Sequence, residues 1–299
     1  MFQEIEFISE DAILRGRLYS HKVDSNPTIV MAHGTTGTIT MVIDAYAEAF
    51  FVAGFDVLLY EHRNFGISDG APRQEINPWI QARGYRDAVT YLRQSRPRCK
   101  IALWGESYTG GLVMIAGALI PDISAIVAQI PVCGIALPPG PIDDEAFAVM
   151  KDIFANGDVT GGPEHTVGPL PVVSADQMNA PSLLAPIQAF RWFVEHGGRH
   201  GSGWQNLATR VIPDTPVACS PFVSAPHLAM PVMFMVGRDD EMVHCNPDIQ
   251  RAVFDKIKGS KEFVEVGGGH FGILWHPSPL FDQAIKVEID FLSRTMLGE

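Results

Sequence analysis

Ile101-Ala102-Leu103-Trp104-Gly105-Glu106-Ser107-Tyr108-Thr109-Gly110-Gly111 joins an apolar run to a small-residue run through one serine. The run 101–104 predicts a short buried strand, and 109–119 predicts a helix. A serine held between them sits in a very tight turn. Such a turn strains the backbone of its central residue and leaves little room for side chains two positions away. Gly105 meets that demand before the serine. Thr109 stands where a second small residue is expected, so its hydroxyl has to find a partner inside the turn. The helix that opens here points its positive end at the serine oxygen. The plain alternative is a Gly-Ser-Thr turn that only caps a helix. A strand before it and a helix after it favour a nucleophile at Ser107.

Outward from this turn, strands and helices alternate. Residues 3–8 and 12–19 alternate apolar and polar around Ser9-Glu10-Asp11, which predicts an edge hairpin. A strand at 28–32 runs into His33-Gly34-Thr35-Thr36-Gly37, followed by a helix at 41–53, a strand at 56–60 and a helix at 79–94. Beyond the serine, 125–130 reads as a further strand. The rhythm then breaks over 134–230, a stretch rich in Pro, Gly and His with helical pieces at 144–155 and 183–196. It resumes with strands at 232–236 and 262–266 and helices at 246–257 and 279–296. This order predicts an α/β fold with a mostly parallel central sheet flanked by helices. The core comprises residues 1–133 and 231–299, and residues 134–230 form an inserted, mainly helical cap of low β content.

With the serine turn, the run Tyr60-Glu61-His62-Arg63-Asn64-Phe65-Gly66-Ile67-Ser68-Asp69-Gly70 resembles the α/β-hydrolase superfamily, over essentially the whole chain apart from the cap. Glu61 stands where Asp is common in that loop, and Asn64 where Gly is common. Pro72-Arg73, Ile76-Asn77-Pro78-Trp79 and Tyr85-Arg86-Asp87-Ala88 resemble the narrower dienelactone-hydrolase-like and Xaa-Pro-dipeptidyl-peptidase-like group, which includes esterases. The resemblance implies the α/β-hydrolase fold and the chain order serine, acid, histidine. Gly237-Arg238-Asp239-Asp240-Glu241-Met242-Val243 carries the acid, placed by the pattern at Asp240 with Asp239 as its competitor. Gly267-Gly268-Gly269-His270-Phe271-Gly272 carries the base, His270; imidazole titrates near neutrality and can both take and return a proton. The backbone N–H groups of Thr35 and Tyr108 are the expected oxyanion donors.

The implied reaction is a two-step acyl transfer that cleaves a carboxylic ester and needs neither a metal nor an organic cofactor. A thioesterase, peptidase, C–C hydrolase or acyltransferase would use the same residues, and a non-catalytic receptor on this fold is the remaining alternative. Aspartate would be required at position 107 in a haloalkane dehalogenase. Phe147, Met150, Phe154, Met178, Phe190, Trp192, Phe193 and Trp204 are candidates either to line an apolar pocket or to pack cap on core.

Composition narrows the partners. A formal net charge of −12 with no basic run argues against nucleic acid and leaves a small-molecule substrate. No segment reaches the roughly 18 apolar residues of a membrane span, and the N-terminus lacks a signal-peptide pattern. Cys99, Cys133, Cys219 and Cys245 are scattered without metal-ligand spacing, which points to a reduced, cytoplasmic protein. The sequence leaves homo-oligomerisation open.

Overall fold

The computed structural model describes residues 2–137 and 142–298; positions 138–141 of the expected insertion lie outside them. In chain order, β1 (Phe2–Ser9) and β2 (Ala12–Tyr19) form the antiparallel edge hairpin. β3 (Thr28–Ala32), α1 (Ile43–Val52), β4 (Asp56–Tyr60), the two-residue β5 (Glu75–Ile76) and α2 (Pro78–Ser95) follow. Then come β6 (Ile101–Glu106), α3 (Tyr108–Leu119) and β7 (Ala125–Gln129). The segment after β7 contains α4 (Asp144–Asn156), β8 (Thr166–Leu170), α5 (Ile187–Trp192), β9 (Ala208–Val211) and α6 (Pro221–Ser224). β10 (Val232–Gly237), α7 (Pro247–Lys256), β11 (Lys261–Val266), α8 (His270–Ile273) and α9 (Pro279–Leu292) complete the chain.

The main sheet has the order β1-β2-β4-β3-β6-β7-β10-β11. Every pair from β4 to β11 is parallel, and only β1–β2 and β2–β4 are antiparallel. Residues of the central strands are buried on both faces, as a sheet covered on both sides requires. Period-two alternation sends Ile29, Met31, Leu59 and Trp104 into one core with α1 and α9. It sends Val30, Leu58 and Leu103 into a second core with α2, α3 and α7. The chain reverses direction across the sheet between β3 and β6. In open parallel sheets a crevice forms there, beyond the carboxyl ends of the strands.

Four helices begin by the same device. Asn77, Ser220, Asn246 and Ser278 accept backbone N–H groups of the first turn, and Pro78, Pro221, Pro247 and Pro279 occupy the first helical position. Each cap contributes about 1 kcal/mol.

Two helices depart from the sequence reading. The helix expected over 183–196 starts only at Ile187, because the Leu184 N–H is taken by the Val172 carbonyl at 2.9 Å and Pro186 precedes the helix. It is α-helical to Trp192 and continues as a wider, π-type turn over Phe193–Gly197. The last helix gives way likewise at Ser293–Leu297. The middle segment contributes only the short β8 and β9 to a small second sheet, β5-β9-β8, whose β5 precedes α2. Helix α4 lies against α2: Met150, Ile153 and Phe154 are buried there, and the Arg83 guanidinium donates to the Ile153, Phe154 and Gly157 carbonyls.

Candidate active site

Ser107 sits at φ 54°, ψ −117°, outside the regions that non-glycine residues favour, and is almost wholly buried. A conformation of this kind costs about 1–3 kcal/mol. Surrounding bonds hold it in place: the Ser107 N–H donates to the Gln129 carbonyl at 2.9 Å, and its carbonyl accepts from Val132 at 2.8 Å. A side chain at Gly105 would collide with the Thr109 carbonyl, so the turn closes only with glycine there. The Thr109 hydroxyl accepts from the Glu106 N–H at 3.1 Å and donates to the Glu106 carbonyl at 2.9 Å. Threonine is tolerated because the turn itself satisfies its hydroxyl.

Three strand ends supply the rest. Beyond β11, His270 Nε2 lies 2.9 Å from Ser107 Oγ, and His270 Nδ1 lies 2.8 Å from Asp240 Oδ2 beyond β10. Asp240 Oδ1 accepts the Met242 N–H at 2.9 Å, which fixes the carboxylate plane. Asp239 is exposed and makes no contact with the imidazole, so of the two adjacent acids only Asp240 joins the chain of hydrogen bonds. Glu241, the third acid, accepts the His270 N–H at 2.9 Å and holds the start of α8. Asp240, Cys245 and His270 bring ligand-type atoms within 4.8 Å of one another. The Cys245 thiol also donates to the Ile130 carbonyl at 3.5 Å, and a cation there would displace the proton shared by His270 and Asp240.

Thr35 follows β3, the neighbour of β6. Among the described residues, neither the Thr35 nor the Tyr108 backbone N–H has a hydrogen-bond partner, and both residues line the cavity that holds Ser107. The loop carrying Thr35 is tied down at several points. The Gly34 N–H donates to Glu106 Oε1 at 2.6 Å, and the Thr36 hydroxyl donates to the Thr35 carbonyl at 2.7 Å. His33 Nδ1 donates to the Gly34 carbonyl at 2.9 Å, so Nε2 is free to accept the His62 N–H at 3.2 Å. Burial pushes His33 down to about 4, in keeping with that neutral tautomer. Glu61 Oε2 lies 3.3 Å from His33 Nε2, and burial pushes Glu61 up to about 8. The Nε2 lone pair is already taken by the His62 N–H, and Glu61 Oε2 has no hydrogen-bond partner. Glu61 Oε1 also accepts the Ile39 N–H at 3.2 Å, and Asn64 adopts the left-handed φ of 74° that a glycine would otherwise supply.

The cavity has a volume of about 210 Å³. Leu184, Trp192, Phe193, Met242, Phe271 and Leu274 make most of its wall apolar. Of the eight large side chains named as candidates, only Trp192 and Phe193 line it. Phe147 stacks on His227, Met150 and Phe154 pack against α2, and Met178 is fully exposed.

Two polar residues of the lining escaped the sequence reading. Glu106 is buried and pushed up to about 7 by burial, with the His270 charge and the Gly34 N–H acting in the opposite direction. Its signal in the sequence is a lone charge closing an otherwise apolar strand. Arg210, on β9, is the other; its signal is a single cation within Ala208-Thr209-Arg210-Val211.

The chain resembles several known proteins. It is 27% identical to the quorum-quenching protein AidA of Acinetobacter baumannii, over 97% of this chain and 94% of that one. It is 40% identical to the thiohydrolase aneE of Aspergillus aculeatus over 134 residues, 44% of this chain and 42% of the relative. Among solved structures, the alpha/beta hydrolase GrgF from a Penicillium species superposes with a TM-score of 0.73 at 24% identity, covering 99% of each chain. No helix is long and apolar enough to cross a membrane among the described residues. The alpha/beta hydrolase family model matches residues 29–283, most of the chain, and this protein belongs to that family.

Proposed function

We propose that this protein is a serine acyl hydrolase in which Ser107 is the nucleophile, His270 the general base and acid, and Asp240 the group that orients the imidazole. The observation that carries this reading is the unbroken relay Asp240–His270–Ser107, with bonds of 2.8 and 2.9 Å, beside two unpartnered N–H groups. His270 takes the Ser107 proton as Oγ attacks the substrate carbonyl, and the Thr35 and Tyr108 N–H groups receive the oxyanion. The leaving group departs with that proton. Water, deprotonated by His270, then attacks the acyl-enzyme and releases the acid. Asp240 supports the imidazolium formed in each half-reaction and holds the Nδ1–H tautomer.

The bond cleaved is a carboxylic ester on this reading, and the apolar wall suits a small or medium hydrophobic acyl group. The segment 134–230 serves as a cap, since Leu183, Leu184, Trp192, Phe193 and Arg210 all face the serine from it. A thioester is the second reading, favoured by the likeness to a thiohydrolase. Matched p-nitrophenyl esters and acyl thioesters, graded in chain length, test both. Hydrolysis by the wild type that vanishes in Ser107→Ala is expected, and the ratio of the two rates selects the bond. Turnover that survives in Ser107→Ala would overturn the mechanism.

A further inference from the structure

Arg210 is the permanent cation of the cavity lining among the described residues, and it stands unpaired. Its Nε is buried without a hydrogen-bond partner, and no carboxylate of the described residues lies within 4.0 Å of the guanidinium. Arg210 is half-buried, and two buried arginines are treated differently: Arg96 pairs with Asp56, and Arg83 binds Glu10 and three carbonyls. β9 holds Arg210 in register between Ile76 of β5 and Val167 of β8. That register sets it at the partition between the serine cavity and an adjoining cavity of about 290 Å³ bounded by Trp79, Tyr108 and Cys219. His244, also in the serine cavity, is pulled down by burial and then by the Arg210 charge, which places that charge within reach of the lining.

A half-buried guanidinium with a buried, unpartnered Nε leaves a donor for a ligand to complete, and its planar fork matches a carboxylate in two parallel hydrogen bonds. We infer that the site takes an acyl group bearing a second, anionic oxygen group, a carboxylate, which Arg210 binds while the scissile carbonyl lies at Ser107. This inference rests on the acyl-transfer reading. The apolar wall between the two ends then accommodates the methylenes that join them. Arg210 thereby sets specificity, and its charge does not enter the bond-making step.

The test uses acyl thioesters from butanoyl to octanoyl, each with and without a terminal carboxylate, on the wild type, Arg210→Met and Arg210→Lys. At the best length the wild type is expected to favour the carboxylated member by at least about tenfold in kcat/KM. Arg210→Met should reduce that ratio by about a hundredfold, and Arg210→Lys should restore part of it. Calorimetric binding of free hexanedioate against hexanoate to the wild type gives a readout without turnover, with the dicarboxylate expected at least about tenfold tighter. A wild-type preference for plain acyl groups, or equal binding of the two acids, would overturn the inference even if Arg210→Met failed to fold. Tighter dicarboxylate binding with no turnover of any thioester or p-nitrophenyl ester would instead sink the acyl-transfer reading and leave the Arg210 site standing.

Discussion

At the strand ends beneath the cavity, Ser107, His270 and Asp240 have every side-chain polar atom engaged, while Arg210, which lines the cavity from the middle segment, carries a buried Nε with no partner. The lower side is built from β3, β6, β10 and β11, whose parallel hydrogen bonds fix each loop that follows them. The upper side comes from a short helix, a widened turn and a four-residue strand. The difference separates two tasks. A reacting constellation has to be held to within a fraction of an ångström, which a sheet can do. Substrate recognition needs unsatisfied groups that a ligand completes, and an irregular segment supplies them without disturbing the sheet.

The largest test of that division falls on the lower side. His270→Ala should reduce kcat by about a thousandfold or more, and Asp240→Asn by a similar amount, because the wrong tautomer then faces the serine. Asp239→Asn should change kcat by less than about threefold, since its carboxylate is exposed. Steady-state kinetics of the three variants decide this. Comparable losses in the two aspartate variants would show that the relay acid is misassigned.

A smaller effect is expected at Glu106, which holds the Gly34 N–H and thereby the loop that presents Thr35. Glu106→Ala should lower kcat by about tenfold or more with little change in KM, because misplaced oxyanion donors act on the transition state. Glu106→Gln keeps an acceptor oxygen and should recover most of the rate. An equally inactive Gln variant would mean that the carboxyl does more than anchor the loop.

On the upper side the expectation inverts. Leu184→Ala enlarges the cavity and should move the preferred acyl chain about one or two carbons longer, with KM changing more than kcat. A fall in kcat across all chain lengths with no shift in preference would erase the proposed separation of tasks.

The smallest effect concerns stability. Glu288, on α9, accepts the Trp104 indole N–H at 3.0 Å through Oε2, while its Oε1 has no partner, and burial raises it from 4.5 to about 8. A folded-state value above the unfolded one means the folded protein holds the extra proton. The stability is therefore full below about pH 4.5 and is lost as pH rises through about 8. Glu61 and Glu106 carry the same sign. Melting temperatures should fall from about pH 5 to about pH 9 by a few degrees more in the wild type than in Glu288→Gln. An equal fall in both would show that Glu288 does not titrate in that window.

The sequence made the lower side legible because its signals are local. Gly105 and the small residues behind Ser107 report a tight turn, apolar runs of four or five residues report buried strands, and glycines before His270 report a loop. Of the departures from the superfamily pattern, Thr109 and Asn64 are accommodated locally, by a hydroxyl satisfied within the turn and by a left-handed φ, whereas Glu61 is explained by contacts with Ile39 and His33 that no local pattern encodes. The choice between Asp239 and Asp240 turns on which neighbour faces the imidazole, a matter of loop geometry. The upper side was far less legible. Helical periodicity in α4 identifies an apolar face but not its partner, so Phe147, Met150 and Phe154 read as pocket candidates although they pack elsewhere. β5 is two residues long and pairs with a strand more than 130 positions away, beyond the reach of any periodicity argument. Arg210 acquires its position through that pairing.

The central claim is that Ser107 carries the acyl group. Its most direct test is mass spectrometry of the protein quenched during turnover of an activated ester. The account predicts one added acyl mass on the peptide containing Ser107, lost in Ser107→Ala together with activity. Turnover accompanied by acylation at another side chain, or persisting in Ser107→Ala, would contradict it.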